Sequence, residues 1–518
     1  MQSDSFAGRL GANSLVRLLS RLRWRNADVL PILEVALIIA LTAIGLAVRL
    51  RGLVLPTRSL WIDEVFSIWL AELSPWQAIQ TIAAIDQHPP LYALLLHVWL
   101  LPRDDPWWAR LSSVLLGTAT IPAAALLGRA TGGRRLGVIV ACLVAFSPEL
   151  VRYSQEVRMY AMVVLLVFLA TFFLVKAIEQ ASRRYWLGFG VTTLLLIYAH
   201  NLTLFLLPTQ AAFVFWKARR EPAILRSYLV TMTGVGLLWL RWLPILVHQA
   251  SGVIQRFWTS APSPGFVGTT LLDFLNAFPP SSANVAGLAI PLGSLGLWLL
   301  LPLSAFVVAG LLRGPRQYRL LFFASFALPL AIDLGLSLWR PIFEERVLLY
   351  TTVGAIMLIA SAIAAARSLP VNLLLLAPVL WLNVVSLNNY DVSFRKELWE
   401  TSAQFVAGHA ESGDLILFNA TWTQLPFDYY YRRVHGPPLV EHGLPVDLFD
   451  RGVLEPPMLP SDVPTVARLT AGKQHVWVLL SHDWYNDPQH LIRPAMRALF
   501  RHETVYTFDN ILVIDYRR

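Results

Sequence analysis

Two carboxylates stand side by side in the apolar stretch Ser59-Leu60-Trp61-Ile62-Asp63-Glu64-Val65-Phe66-Ser67. Neighbouring carboxylates repel and, away from water, lose hydration, so one of them holds a proton more tightly. That makes Asp63 or Glu64 a candidate general base for a hydroxyl group; a solvated acidic pair in a loop is the plainer alternative. A second cluster, Asp86-Gln87-His88-Pro89-Pro90-Leu91-Tyr92, sets a carboxylate and an imidazole two residues apart, before a rigid diproline turn. The pair could ligate a metal, polarise a substrate or cap the next helix, and two ligands are too few to define a metal site. A third, Arg152-Tyr153-Ser154-Gln155-Glu156-Val157-Arg158-Met159-Tyr160, concentrates charge between two apolar runs. Charges near membrane depth are costly, so they pair or serve a pathway. On a helix Arg152 and Glu156 would share a face, leaving Arg158 for an anion. A fourth, Phe343-Glu344-Glu345-Arg346-Val347-Leu348, opens another apolar run; Arg346 could meet a phosphate or pair with Glu344 or Glu345. His200 and Asn201 read as a polar turn.

The elements carrying these clusters follow from composition. The chain has 518 residues, 56% hydrophobic and 14% charged, against about 25% charged in an ordinary soluble domain. The apolar runs occupy residues 29–387, whereas 388–518 has soluble composition. The formal charge of +9 does not indicate nucleic acid, because the basic residues fall in short loops between apolar runs. The lone Cys142 excludes an intrachain disulfide. The run from Val29 to Leu50 follows a basic segment and has no small-residue cleavage site at its end, so it reads as a retained anchor.

Apolar spans are expected near 30–50, 109–128, 136–150, 159–178, 185–199, 201–216, 227–247, 287–311, 320–339, 347–366 and 371–387. Alternate short loops carry the positive charge: Arg9, Arg17, Arg21, Arg23 and Arg25, then Arg129, Arg134 and Arg135, Lys176, Arg183 and Arg184, Lys217, Arg219, Arg220 and Arg226, Arg313, Arg316 and Arg319, and Arg367. The positive-inside rule places these in the cytoplasm with the N-terminus (1–28), and an odd number of spans puts the C-terminal domain outside. All four polar clusters then fall on the outer side. In the long outer loop 51–108, Ser74 before Pro75 reads as the N-cap of an amphipathic helix lying in the membrane interface. The C-terminal region alternates apolar strands with helices: a helix at 394–410, strands at 414–419 and 476–481, a helix at 489–501 and a hairpin over 504–516. The fold class is therefore an all-α polytopic membrane bundle of about eleven transmembrane helices with a small C-terminal α/β extracytoplasmic domain.

The motif order W-I-D-E-x-x-S, H-P-P-L-Y, A-R-L-S-S-V-L-L-G and R-Y-S-Q-E-V-R-M-Y-A-M resembles the GT-C glycosyltransferases of the protein mannosyltransferase and aminoarabinose transferase type, closely over 50–180 and more loosely to 390. The resemblance implies an integral inner-membrane enzyme that moves a hexosyl or pentosyl group from a polyprenyl-phosphate donor to an acceptor hydroxyl, with inversion. It implies Asp63 as the catalytic carboxylate with Glu64 beside it, Arg346, Arg158, Tyr160 and Glu156 at the donor phosphate, and Asp86, His88, Tyr92, Arg152 and Glu345 as neighbours of the substrate. The acceptor is left open among glycan, lipid and protein. The resemblance fixes no cofactor and leaves a divalent metal open; the partners are the polyprenyl-phosphate-linked sugar, the acceptor and membrane lipid, and not nucleic acid. A flippase or a ligase of lipid-linked glycans is the alternative; the absence of an internal repeat and the outer position of the charges weigh against a transporter.

Overall fold

A computed structural model describes residues 31–54, 58–255, 259–276, 282–285, 288–291, 300–366, 368–447 and 457–518. The basic N-terminal segment and Arg367 lie outside the described residues.

Seven described helices are long and apolar enough to cross a membrane: Pro31–Arg51, Pro106–Phe146, Tyr160–Gln180, Pro222–Val253, Arg319–Ser337, Glu345–Ala364 and Leu369–Ser393. The reading of eleven spans is not reached on that measure. The helices Arg183–Ala199 and Leu207–Ala218 are shorter, and Leu300–Arg313 follows residues that are not described. Part of the span expected at 287–311 is instead a strand, β2 (Leu288–Pro291), paired antiparallel with β1 (Ser282–Val285). The spans expected at 109–128 and 136–150 are arms of the one 41-residue helix element, broken at Gly133, whose φ of 83° only glycine adopts without strain. The arms run so close that a Cβ on Gly128 would lie 2.8 Å from the Gly137 Cα. The second arm stops at Phe146, because Ser147-Pro148 caps and starts a new short helix, Pro148–Ser154.

Burial separates axis from periphery. The most apolar window of Glu345–Ala364 is 89% buried against 11% for Pro222–Val253, so the first is a central post and the second faces outward. Arg49 is fully buried, and its guanidinium donates to the carbonyls of Gly45, Val144 and Ala145 and to Ser154 Oγ. Carbonyls at a helix C-terminus have no intrahelical donors, and a cation there also meets the negative end of the helix dipole.

The segment between the first two long helices contains three short helices, Ile62–Glu72, Pro75–Ile85 and Leu91–Leu100. Ser74 caps the second as its spacing implied: its Oγ accepts from Gln77 N, and Gln77 Oε1 accepts from Ser74 in return. The C-terminal domain is a five-stranded sheet in the order β4-β3-β5-β7-β6. Its members are β3 (Leu415–Asn419), β4 (Val440–Gly443), β5 (His475–Leu480), β6 (His502–Phe508) and β7 (Ile511–Arg517). β4, β3 and β5 run parallel; β7 and β6 form the antiparallel hairpin. The expected strands, helices (Trp399–His409 and Ile492–Leu499) and hairpin are present. β4 adds a strand that the sequence pattern does not predict, because Val-Glu-His-Gly is a four-residue edge strand with little apolar signal. One sheet face joins the apolar core of the bundle, since Phe418, Trp477 and Val513 share a cluster with Tyr160 and Leu348. Tyr430 Oη accepts from Leu60 N at 2.7 Å, and Arg433 pairs with Asp104 at 3.0 Å, which seats the domain on the segment of the short helices.

Orientation gives a direct test. A reporter fused beyond Ser393 is expected to be active outside the cytoplasm, and one inserted near Arg219 inside it. Cytoplasmic activity of the C-terminal fusion would shift the topology by one span and turn the polar clusters to the wrong side.

Candidate active site

Helix Ile62–Glu72 begins at the acidic pair, and its first turn decides which carboxylate meets substrate. Consecutive helical residues point about 100° apart. Glu64 turns inward: it is fully buried, and Arg110 grips it with Nε to Oε1 at 2.8 Å and Nη2 to Oε2 at 2.7 Å. Lys396 Nζ adds a third donor at 2.8 Å, and the backbone N–H groups of Val157 and Trp61 complete the shell. Burial alone would raise the Glu64 pKa, but Arg110 and Lys396 outweigh it and hold the carboxyl down at about 2. Glu64 thus stays ionised and does not line the cavity beside it.

Asp63 turns the other way, into a cavity of about 860 Å³ between the bundle and the C-terminal domain. Five carboxylates line this space, and Asp63 has the most exposed side chain at 27%, against 22% for Glu344, 16% for Glu345, 12% for Asp86 and 3% for Glu156. Asp63 Oδ2 accepts from Arg346 Nη1 at 2.9 Å, and Arg346 also meets Glu344 at 3.4 Å and lies over the Trp61 ring. On the other flank Arg158 Nη1 donates to Ser67 Oγ at 3.2 Å and to the Asp63 carbonyl at 3.4 Å, while Nη2 lies 3.5 Å from His88 Nε2. His88 Nδ1 bonds Asp86 Oδ1 at 2.9 Å, which assigns the ring proton to Nδ1 and leaves Nε2 to face Arg158. Burial opposes ionisation of Asp86, yet His88 and Arg158 prevail and keep its pKa below the ordinary value. Apolar side chains also line the cavity, among them Leu204, Phe205, Leu246, Val253, Leu336 and Ile342, with Gln249 and Arg340 between them in sequence.

Several expectations need correction. Arg152 and Glu156 do not share a helical face, because the helix ends at Ser154. Arg152 pairs with Glu345 at 3.2 Å, and Glu156 lies 3.4 Å from Lys396. Tyr92 is buried against Ser113 Oγ at 3.0 Å and does not line the cavity. His200, read as part of a plain turn, does line it, with its ring 5.2 Å from that of His88. Arg110, in the A-R-L-S-S-V-L-L-G motif, has its partner Glu64 46 positions away, so no local pattern pairs them. Lys396 had no local signal at all, since its partner is 332 positions away. Among the described residues, no group of three or more His, Cys, Asp or Glu side chains is placed to hold a metal ion.

The overall architecture recurs in solved structures. ArnT from Cupriavidus metallidurans in the apo state superposes with a TM-score of 0.62 at 14% identity, over 92% of this chain and 97% of that one. The chain therefore shares the fold of ArnT. The same ArnT bound to undecaprenyl phosphate gives a TM-score of 0.55 at 13% identity, over 92% and 97%. A second similar structure is the archaeal oligosaccharyltransferase AglB from Archaeoglobus fulgidus, in complex with an inhibitory peptide and a dolichol-phosphate. It gives a TM-score of 0.55 at 12% identity, over 92% of this chain and 74% of that one. The family described as dolichyl-phosphate-mannose-protein mannosyltransferase matches residues 87–248. The matched segment includes His88, Arg110, Glu156, Arg158 and His200, whereas Asp63 and Arg346 lie outside it. A comparison with curated protein sequences finds no match.

Proposed function

We propose that this protein transfers a glycosyl group from a polyprenyl-phosphate donor to an acceptor hydroxyl at the outer face of the membrane, with Asp63 as the general base. The observation that carries this reading is Asp63 itself, the most exposed cavity carboxylate, set between Arg346 and Arg158 in a cavity that apolar side chains also line. The family match to a mannosyltransferase favours it over a flippase or ligase.

In this reading the isoprenoid lies along Leu204, Phe205 and Leu246, and the phosphate meets Arg346 and Arg158. Tyr160, which lines the cavity beside Arg158, closes that end. Asp63 removes the proton as the acceptor oxygen forms its bond to the anomeric carbon. The bond from that carbon to the phosphate oxygen breaks, and its electron pair leaves on the lipid phosphate. Displacement from the face opposite the phosphate inverts the anomeric centre. Glu64 positions rather than reacts, because its ion pairs fix the helix that presents Asp63.

The donor contact is tested at Arg346. A guanidinium binds phosphate through two parallel hydrogen bonds that an ammonium cannot reproduce. Losing a charge-assisted bond costs about 1.5–3 kcal/mol, or roughly ten- to a hundredfold in affinity. Arg346→Ala is expected to weaken polyprenyl-phosphate binding by that amount, and Arg346→Lys by less. Melting temperature and lipid affinity should be read on the same preparations. A lower melting temperature with unchanged affinity would make Arg346 a structural partner of Asp63 and Glu344 and move the phosphate to Arg158.

A further inference from the structure

The cavity wall contributed by the C-terminal domain is aromatic, and the sheet topology explains why it sits there. The chain leaves β3, passes through helix Gln424–Val434 to β4 on one side, then returns through helix Val463–Leu469 to β5 on the other side. The direction of winding therefore reverses between β3 and β5, and in open parallel sheets ligands bind outside the carboxyl ends of the strands at that point. Here those ends face the cavity. Trp422 and Leu425 follow β3, and His482, Trp484 and Tyr485 follow β5; all five line the space that holds Asp63. Ser481 N donates to the Asn419 carbonyl at 2.9 Å, and Ala420 N to the Ser481 carbonyl at 3.1 Å, so the two turns are tied together.

We infer that this edge is the acceptor subsite and that it takes a saccharide, the sugar rings stacking on Trp422 and Trp484. The inference rests on the glycosyltransferase reading and specifies its second substrate. Three observations carry it. Trp484 is 60% exposed although it lines a cavity, and the rings continue inward, with Trp484 6.4 Å from His482 and His482 4.9 Å from Trp422. Flat apolar faces of that kind match the C–H faces of pyranose or furanose rings. Polar groups are interleaved with them: His482 Nδ1 lies 3.4 Å from Glu397 Oε1 and 3.0 Å from Ser481 Oγ, and the buried Trp422 Nε1 has no hydrogen-bond partner among the described residues. A donor N–H in that state is a group awaiting an oxygen. The wall also lacks what other ligands need. The turn after β3 is Ala420-Thr421-Trp422, without a glycine run to cradle phosphate. The open sheet edges are β4 and β6, and neither lines the cavity, so no strand is offered to a peptide backbone.

The test uses the full chain in lipid nanodiscs, applied to immobilised oligosaccharides of mannose, glucosamine, galactose and arabinose and to serine- and threonine-rich peptides. The wild type should be retained by at least one saccharide class. Trp484→Ala should weaken that retention about tenfold, the cost of losing an aromatic anchor from a binding surface. Trp484→Phe should keep most of it. Because Trp484 is exposed, the melting temperature of Trp484→Ala should match the wild type. Retention by no saccharide, equal retention by Trp484→Ala, or retention by peptides alone would overturn the inference. Failure of the glycosyltransferase reading is distinguishable: saccharides would still be retained through Trp484, but no sugar would move from a polyprenyl-phosphate donor.

Discussion

Asp63→Asn is expected to lower glycosyl transfer by ~10²-fold or more, the usual loss when a positioned general base is removed. Asparagine has nearly the same shape and can still accept the hydrogen bond that Arg346 gives to Asp63 Oδ2, but it cannot take up the acceptor's proton. Donor affinity should therefore change little, and the loss should fall on turnover. Stability should be almost unaffected, because the side chain is partly exposed and makes its ion pair at the cavity surface. Transfer is measured with a purified Asp63→Asn preparation and a polyprenyl-phosphate sugar, alongside a melting curve. Wild-type turnover in a folded sample would sink the assignment of Asp63 as base.

Arg110→Met is expected to produce the largest stability loss, about 3–5 kcal/mol, because it leaves a buried carboxylate short of its main partner. Glu64 receives two hydrogen bonds from Arg110 and one from Lys396 and is sealed from water. Chemical denaturation would show the loss. The double variant Arg110→Met/Glu64→Gln should recover part of it, since the stranded charge is then gone; full additivity of the two single effects would mean that the pair is not coupled. The same ion cluster sets an acid limit. The folded pKa of Glu64, about 2, lies below its ordinary 4.5. Its contribution is therefore complete above pH 4.5 and is lost progressively as the pH falls toward 2. Glu64→Gln should flatten that part of the stability profile, although it is itself less stable because Arg110 and Lys396 lose their counter-charge.

Much of this molecule is written locally. Most of the apolar runs long enough to span lipid give helices, because a backbone without water must satisfy its hydrogen bonds internally. Ser74 and Gln77 cap a helix through contacts within three residues, and the hairpin β6–β7 pairs strands two residues apart. Such features are legible because both partners lie in one short window. The motif clusters were legible for the same reason: Asp86 and His88 are close in sequence and bond directly.

What the sequence could not decide was direction and distant partnership. Asp63 and Glu64 are equivalent as a pair of letters, and only Arg110 and Lys396, 46 and 332 positions away, draw one inward and leave the other to the cavity. The expected Arg152–Glu156 pair assumed an unbroken helix, but the chain leaves helical geometry after Ser154, and each residue finds its partner on another element. His200 joined the site only because its turn packs beside His88, and Trp422 and Trp484 only because a sheet reversal brings two strand ends over the bundle. The physical reason is common to all of these. Periodicity and capping are short-range properties of the chain, whereas the field around a carboxylate is made by whichever charges the tertiary fold brings within a few ångströms of it.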